Sequence, residues 1–284
     1  MKIIEELEQG SQAWHDYRLS KIGGSECPII CGISPHRSPY SLWLEKMGLY
    51  TQEVTSAMQR GTDMEPVARK RFNEQYGKFT PAVVEHDTIP WMSASLDGMD
   101  MHHKCLLEIK CTSAKNHSRM KMDDIPLSWM YQVQHQLIVT GCQWGYLASY
   151  YDDDLAVKRI MPDPKIQEII LAKEKEFWGL LNDFTPPPLT DMDIIKRDDP
   201  EWIAAASEYK DTQVRIRELE GQEMALRDKL VKLSKGHNSA GGGIRLVKLA
   251  RKGNIDYSVI PALQDMDLNP YRKPTTEHIR ITKS

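Results

Sequence analysis

No run in this 284-residue sequence approaches the roughly 18–20 consecutive apolar residues that cross a bilayer. The opening stretch, MKIIEELEQGSQAWHDYR, also lacks the apolar core, about 7–15 residues long, of a secretory signal. These absences set the expectation of a cytoplasmic protein without membrane contact. Paired cysteines are missing too. The five cysteines, Cys27, Cys31, Cys105, Cys111 and Cys142, are scattered through apolar contexts and read as buried free thiols. Cys27 and Cys31 form a C-x-x-x-C with no matching pair elsewhere, so spacing alone offers no zinc or iron–sulfur cluster. Nor is there a strong charge of one sign. A net charge of −3 argues against a non-specific basic coat for nucleic acid, while leaving room for a local basic groove. What remains, 40% hydrophobic and 27% charged residues, is an ordinary globular composition. The length allows one large domain, or a main domain with an appendage.

Along the chain, residues 11–50 contain helical pieces broken at Pro28, at the Gly32–Pro35 turn and at Pro39. Residues 57–76 read as an amphipathic helix with Val67, Ala68, Phe72 and Tyr76 towards the core. Two or three short strands follow between 79 and 111, the last two joined by the turn DGMDMHHK. A second helix covers 126–141, started by Pro126 and ended by Gly141, with Trp129, Val133, Leu137 and Ile138 on one face. QWGYLASYY and DLAVKRIM are a further strand pair, and 165–184 is a third helix. Helices interleaved with strands predict a mixed α/β domain.

Pro186-Pro187-Pro188 cannot continue a helix and marks a boundary, giving a core over 1–188 and an extension over 189–284. In the extension, Trp202, Ala205, Tyr209, Thr212, Ile216, Leu219, Glu223, Leu226, Leu230 and Leu233 recur at alternating three- and four-residue steps. That spacing predicts one long helix or a helical hairpin. A glycine turn and a basic strand pair with Arg245, Lys248, Arg251 and Lys252 follow. Those cations could touch a DNA backbone or simply be solvated.

The chemistry concentrates in SLDGMDMHHKCLLEIK, residues 95–110. Acids and lysines are depleted in strands, yet CLLEIKC carries both. Residues i and i+2 share a strand face, so Glu108 and Lys110 project together, opposite Ile109. The hairpin turn could return Asp97 to Glu108. Two carboxylates at one point repel unless a cation sits between them, and oxygen ligands suit a hard divalent ion such as Mg²⁺. Lys110 would hold or activate a water there. The bland alternative is a solvated edge strand. Glu65, on the 57–76 helix, could approach the same place or be an exposed helix charge. Gln132 and Gln136 share one helix face and Gln134 points elsewhere.

Taken in order, SLDG, LEIK and the downstream YQVQHQLIVTG resemble the PD-(D/E)XK (restriction-endonuclease-like) nuclease core. The run QAWHDYRLSKIGGSE is similar to the start of the lambda-exonuclease, or YqaJ-like, viral recombinase family. There a W-x-x-x-R-x-x-x-I-x-x-S pattern falls on Trp14, Arg18, Ile22 and Ser25. RGTDMEPVARKRF resembles the family's G-x-x-x-E helix, with Glu65 at its glutamate. The resemblance covers residues 9–184. It implies a central mixed sheet flanked by helices, to which the helical and β-hairpin extension is added. It further implies a Mg²⁺-dependent enzyme, with Mn²⁺ as a substitute, that degrades double-stranded DNA from its ends in the 5′→3′ direction. A 3′ overhang is left for a phage-type single-strand annealing protein. A ring-shaped homotrimer and a phage or prophage origin in a bacterial host are implied as well. Asp97, Glu108, Glu65 and the Ile109 carbonyl would hold metal; Lys110 and Gln132 would serve catalysis. Arg18 and Ser25 would hold the 5′-phosphate, although without the flanking pattern they read as a surface arginine and a helix N-cap. The proline of the family name is absent, since Leu96 precedes Asp97, and the extension exceeds the compact family pattern. An endonuclease or flap nuclease on the same core, and a non-catalytic DNA-end-binding module, remain alternatives.

Overall fold

The computed structural model describes residues 1–7, 9–264, 266, 271 and 273. Its elements fall into two compact units, divided after Lys196. In the first, β1 (Lys2–Ile3) is followed by three short helices, α1 (Gln12–Leu19), α2 (Cys27–Ile30) and α3 (Pro39–Lys46). Pro28 and Pro39 begin α2 and α3 instead of breaking a helix, because a proline in the first turn gives up no intrahelical bond. The long helix α4 (Ser56–Tyr76) precedes three strands, β2 (Phe79–Glu85), β3 (Ser93–Asp100) and β4 (Cys105–Cys111). Next come α5 (Ala114–Lys121), α6 (Leu127–Thr140), the strand pair β5 (Trp144–Tyr151) and β6 (Asp154–Ile160), and α7 (Pro164–Asn182).

The six strands form one mixed sheet in sequence order, antiparallel throughout except where β4 runs parallel to β5. A parallel neighbour requires a crossover, and α5 with α6 supplies it. Gly141 ends α6 in the left-handed region at φ 68°, which turns the chain back towards β5. Helices cover both faces. On one side Val133 and Leu137 of α6 and Ile170 of α7 pack on Leu96, Leu106 and Leu147. On the other, Ala68 and Phe72 of α4 pack on Phe79, Leu107, Ile109 and Ala148. The pleat of β4 therefore sends alternate residues into two different cores. β4 lies inside the sheet, which removes the solvated-edge reading of its charges.

One expectation for α4 is corrected. Ala68 and Phe72 are buried, but Val67 and Tyr76 are about half exposed, at 47% and 44%. Four-residue steps keep 64, 68 and 72 over the sheet, while Val67 lies one position off that row. Tyr76 still contributes by stacking on Phe72, with centroids 4.6 Å apart, and Phe72 also meets Phe79 and Tyr146 edge-on. Phe72→Ala removes the centre of this cluster and should cost about 3–5 kcal/mol of stability. Urea denaturation measures it; a loss below 1 kcal/mol would mean the cluster collapses around the gap.

In the second unit, α8 (Pro200–Leu233) is one continuous 34-residue helix capped by Asp199, so the long-helix alternative is the one adopted. None of its residues is buried. β7 (Ser239–Gly241) and β8 (Ile244–Leu246) form a hairpin across Gly242 and Gly243. Of the four cations expected in a strand pair, only Arg245 lies in a strand. The ladder closes where Lys248 N–H meets Asn238 Oδ1, and Arg251 and Lys252 lie beyond it.

Candidate active site

β3 and β4 pair only at Gly98–Leu107 and Met99–Leu106. Past Leu107 the two strands part, and the Ile109 N–H donates instead to Asp97 Oδ2 at 2.6 Å. The side-chain carboxylate thus takes a ladder position and lies against β4. Glu108, 3% exposed, is gripped from α6: Gln132 Nε2 donates to Oε1 at 2.7 Å and Gln136 Nε2 to Oε2 at 2.5 Å. Lys110 Nζ lies 2.7 Å from Glu108 Oε1 and donates to Gln132 Oε1 at 2.7 Å. An ammonium has three N–H groups, so one remains for a water or a phosphate oxygen. Gln134 points away, to Met161 O and Asp163 N. Gly24 packs against this pair: a Cβ there would lie 3.2 Å from Gln136 Cγ and 3.5 Å from Gln132 Cγ, a tight contact.

Glu65 stands on α4, ion-paired to Arg69 at 2.8 Å. Desolvation pushes its carboxyl up, Arg69 pulls it down, and the Glu108 charge pushes it up again. Asp97 is displaced further. Desolvation, then the charges of Glu108 and Glu65, hold it well above the usual carboxylate range. Three acids therefore sense one another, and Lys110 offsets only part of their charge. Carboxylate oxygens with excess negative charge, beside the Ile109 peptide, are donors of the kind that could hold a hard divalent cation.

The amino-terminal pattern folds into a second cluster. Trp14 Nε1 donates to Ser95 Oγ at 2.8 Å, which ties α1 to β3. The Arg18 guanidinium lies 4.8 Å from the Trp14 ring centre and donates to Ser25 Oγ at 3.1 Å. Ile22 is fully buried. Two partners were not singled out in the sequence. Glu26 lies 3.3 Å from Arg18 and 2.8 Å from Lys46. Lys46, only 2% exposed, also donates to the carbonyls of Arg18 and Lys21 at 2.6 and 2.5 Å. Burial would push the Glu26 carboxyl up, but Lys46 and Arg18 together hold it below the usual range. No local motif announces Lys46, since its reach depends on how α3 packs. Glu26 carries one weak signal, an acid directly after the serine of the pattern.

A mixed sheet with an acid on one strand, E-x-K on the next and helices on both faces is the PD-(D/E)XK nuclease fold. Residues 13–143 match the family model of the YqaJ-like viral recombinase domain. The protein YqaJ of Bacillus subtilis (strain 168) is 32% identical over 185 residues, which cover 62% of this chain. The match spans 58% of that relative's length. An alkaline exonuclease of Laribacter hongkongensis, LHK-Exo, has a crystal structure similar to this one, with a TM-score of 0.52 and 28% identity. That likeness covers 61% of this chain and 96% of the exonuclease. The structure of LHK-Exo in complex with dAMP is similar at a TM-score of 0.53 and 27% identity, covering 61% and 94%. Among the described residues, no helix is long and apolar enough to cross a membrane.

Proposed function

We propose that this protein is a divalent-metal-dependent exonuclease that degrades one strand of double-stranded DNA from a 5′-phosphorylated end. The observation that carries the reading is the parting of β3 from β4. It leaves Asp97 on the Ile109 N–H and Glu108 and Lys110 on one face, locked by two glutamines. Asp97, Glu108, Glu65 and the Ile109 carbonyl would hold the cation, Mg²⁺ by preference and Mn²⁺ as a substitute. When bound, it supplies charge stabilisation for the phosphate under attack. Lys110 directs its remaining N–H to the attacking water or to a phosphate oxygen. Gln132 keeps Lys110 and Glu108 in register. Water adds to phosphorus, the bond to the 3′ oxygen of the leaving nucleotide breaks, and a 5′-mononucleotide departs. The mononucleotide bound by LHK-Exo belongs to that product class.

Direction comes from the second cluster. Arg18 offers a planar fork of N–H donors and Ser25 a hydroxyl, both suited to a terminal phosphate. Glu26 would repel that phosphate if it stood alone, but Lys46 neutralises it, and Arg18 is held in place from below. A 5′ clamp gives 5′→3′ digestion and a 3′ overhang, the substrate of a single-strand annealing protein in phage-type recombination. A homotrimer enclosing the duplex, in the cytoplasm of a bacterial host, would complete this role.

End-labelled linear duplex incubated with Mg²⁺ tests the reading. The 5′ label should leave first, as mononucleotide, and closed circular DNA should survive; cutting of the circle would favour an endonuclease on the same core. In the same assay Arg18→Ala should slow 5′-phosphorylated ends about 10–100-fold, the loss of a charge-assisted contact worth about 1.5–3 kcal/mol. Ends bearing a 5′-hydroxyl should change little. Equal loss on both would remove Arg18 as the phosphate clamp.

A further inference from the structure

His135 lies between the two active-site glutamines in sequence, but it faces the core behind them. It is fully buried, as are Glu174 of α7 and Cys27 of α2. Among the described residues, Cys27, His135 and Glu174 form the one set of three such side chains whose ligand atoms all lie within 4.8 Å of one another. We propose that these residues form a second, soft metal site, distinct from the oxygen-rich active site, that takes a zinc-class ion.

Three observations support it. His135 Nε2 lies 2.9 Å from the Ser93 carbonyl oxygen, which can only accept, so Nε2 carries a proton. Metal-binding histidines characteristically give one ring N–H to a carbonyl in this way, which aims the other nitrogen at the ion. That nitrogen, Nδ1, lies 2.7 Å from Glu174 Oε1. The second observation is Glu174 Oε2, which is buried and has no hydrogen-bond partner. A proton shared between His135 and Glu174 satisfies one carboxylate oxygen and leaves the other stranded, at a cost a buried acid rarely bears. An ion would occupy that side. The third is the thiol. Cys27 Sγ makes a long 3.6 Å contact to the Tyr131 carbonyl, and both the Glu174 carboxylate and the Cys31 thiol, at the end of the same short helix, lie beside it. With Cys31 as fourth donor, the set is two sulfurs, one imidazole and one carboxylate, a composition suited to tetrahedral Zn²⁺ and unsuited to Mg²⁺.

Zinc bonds of about 2.0–2.3 Å place tetrahedral ligands about 3.3–3.7 Å apart, so the spread of Cys27, His135 and Glu174 needs to close by about 1 Å, and Cys31, outside that group, has to swing in. The consequence is mechanical. Cys27 follows directly on Ser25 and Glu26, and His135 is flanked by Gln134 and Gln136 on α6. An ion there would staple the end-binding cluster to the helix that grips Glu108, and α7 to both. The C-x-x-x-C spacing alone could not suggest this, because the other two ligands come from helices over a hundred residues away.

Cobalt titration of the full-length reduced protein tests the site, since only thiolate ligation gives an intense sulfur-to-cobalt band in the near ultraviolet. One equivalent of Co²⁺ should produce that band together with the visible bands of a tetrahedral ion. Both should persist in Asp97→Asn, resist excess Mg²⁺, and disappear on adding Zn²⁺. Cys27→Ala should lose at least half of the sulfur band, and Glu174→Gln should weaken binding at least tenfold. Zn²⁺ should raise the Tm of the parent protein and leave that of Cys27→Ala unchanged. Absence of the sulfur band in the parent protein overturns the site, whatever the variants do. So does a band of full intensity in Cys27→Ala.

Discussion

Lys110→Ala is expected to lower the cleavage rate by about 10²–10⁴-fold, the range over which a positioned proton-transfer group acts. Binding to DNA ends should survive within a few fold. The argument is geometric. Lys110 Nζ uses Glu108 Oε1 and Gln132 Oε1 as its two fixed partners, which points the third N–H outward with little freedom. Truncation removes that donor and its charge at the reacting phosphate. Glu108 keeps both glutamine amides, so the fold has no reason to fail. Lys110→Arg should not rescue the activity, because a planar guanidinium cannot occupy a point held by two convergent acceptors. Single-turnover cleavage and gel-shift affinity on the same labelled duplex separate the two effects. A variant that cuts at the parent rate would sink the role. One that neither cuts nor binds would make Lys110 a binding residue instead.

The features legible in the sequence are those that depend on short-range periodicity. The pleat places Glu108 and Lys110 together, the DGMDMHHK turn returns β3 to β4, and Gly141 ends α6; each follows from a few neighbouring residues. The same periodicity separated Gln134 from Gln132 and Gln136. What could not be read depends on how elements pack. Val67 sits beside an apolar row and Tyr76 at its end, and only the way α4 lies on the sheet decides that 68 and 72 are covered. The hold of Lys46 on Glu26 needs α3 placed against the loop after α1. The meeting of Cys27, His135 and Glu174 needs three helices in place at once. Site residues close in sequence were therefore visible as such, whereas the buried charges that support them were not.

Asp97→Asn is expected to abolish cleavage and yet to stabilise the metal-free protein at neutral pH, by about 0.5–2 kcal/mol. Asp97 is held well above the usual carboxylate range by desolvation and by the charges of Glu108 and Glu65. The folded protein then binds this proton more tightly than the unfolded chain does. Between the ordinary carboxylate pKa and the raised one, the folded state carries more protons, so stability falls as pH rises through that window. Asparagine has no proton to lose there. Its Oδ1 can still accept the Ile109 N–H, and its amide can donate towards the neighbouring acids, so the parting of β3 and β4 should be preserved. In EDTA, the Tm advantage of Asp97→Asn should be absent at acid pH, grow as pH rises, and level off above the raised pKa. Divalent cation should reverse the order, because binding to the folded parent adds stability by mass action, about 2.7 kcal/mol at a hundredfold excess over Kd. Parent and variant melting together at every pH in EDTA would show that the acids do not strain one another. An advantage that survives saturating Mg²⁺ would show that Asp97 is not a ligand. Both outcomes are read from melting curves alone, so they bear on the acid cluster independently of any assay of DNA cleavage.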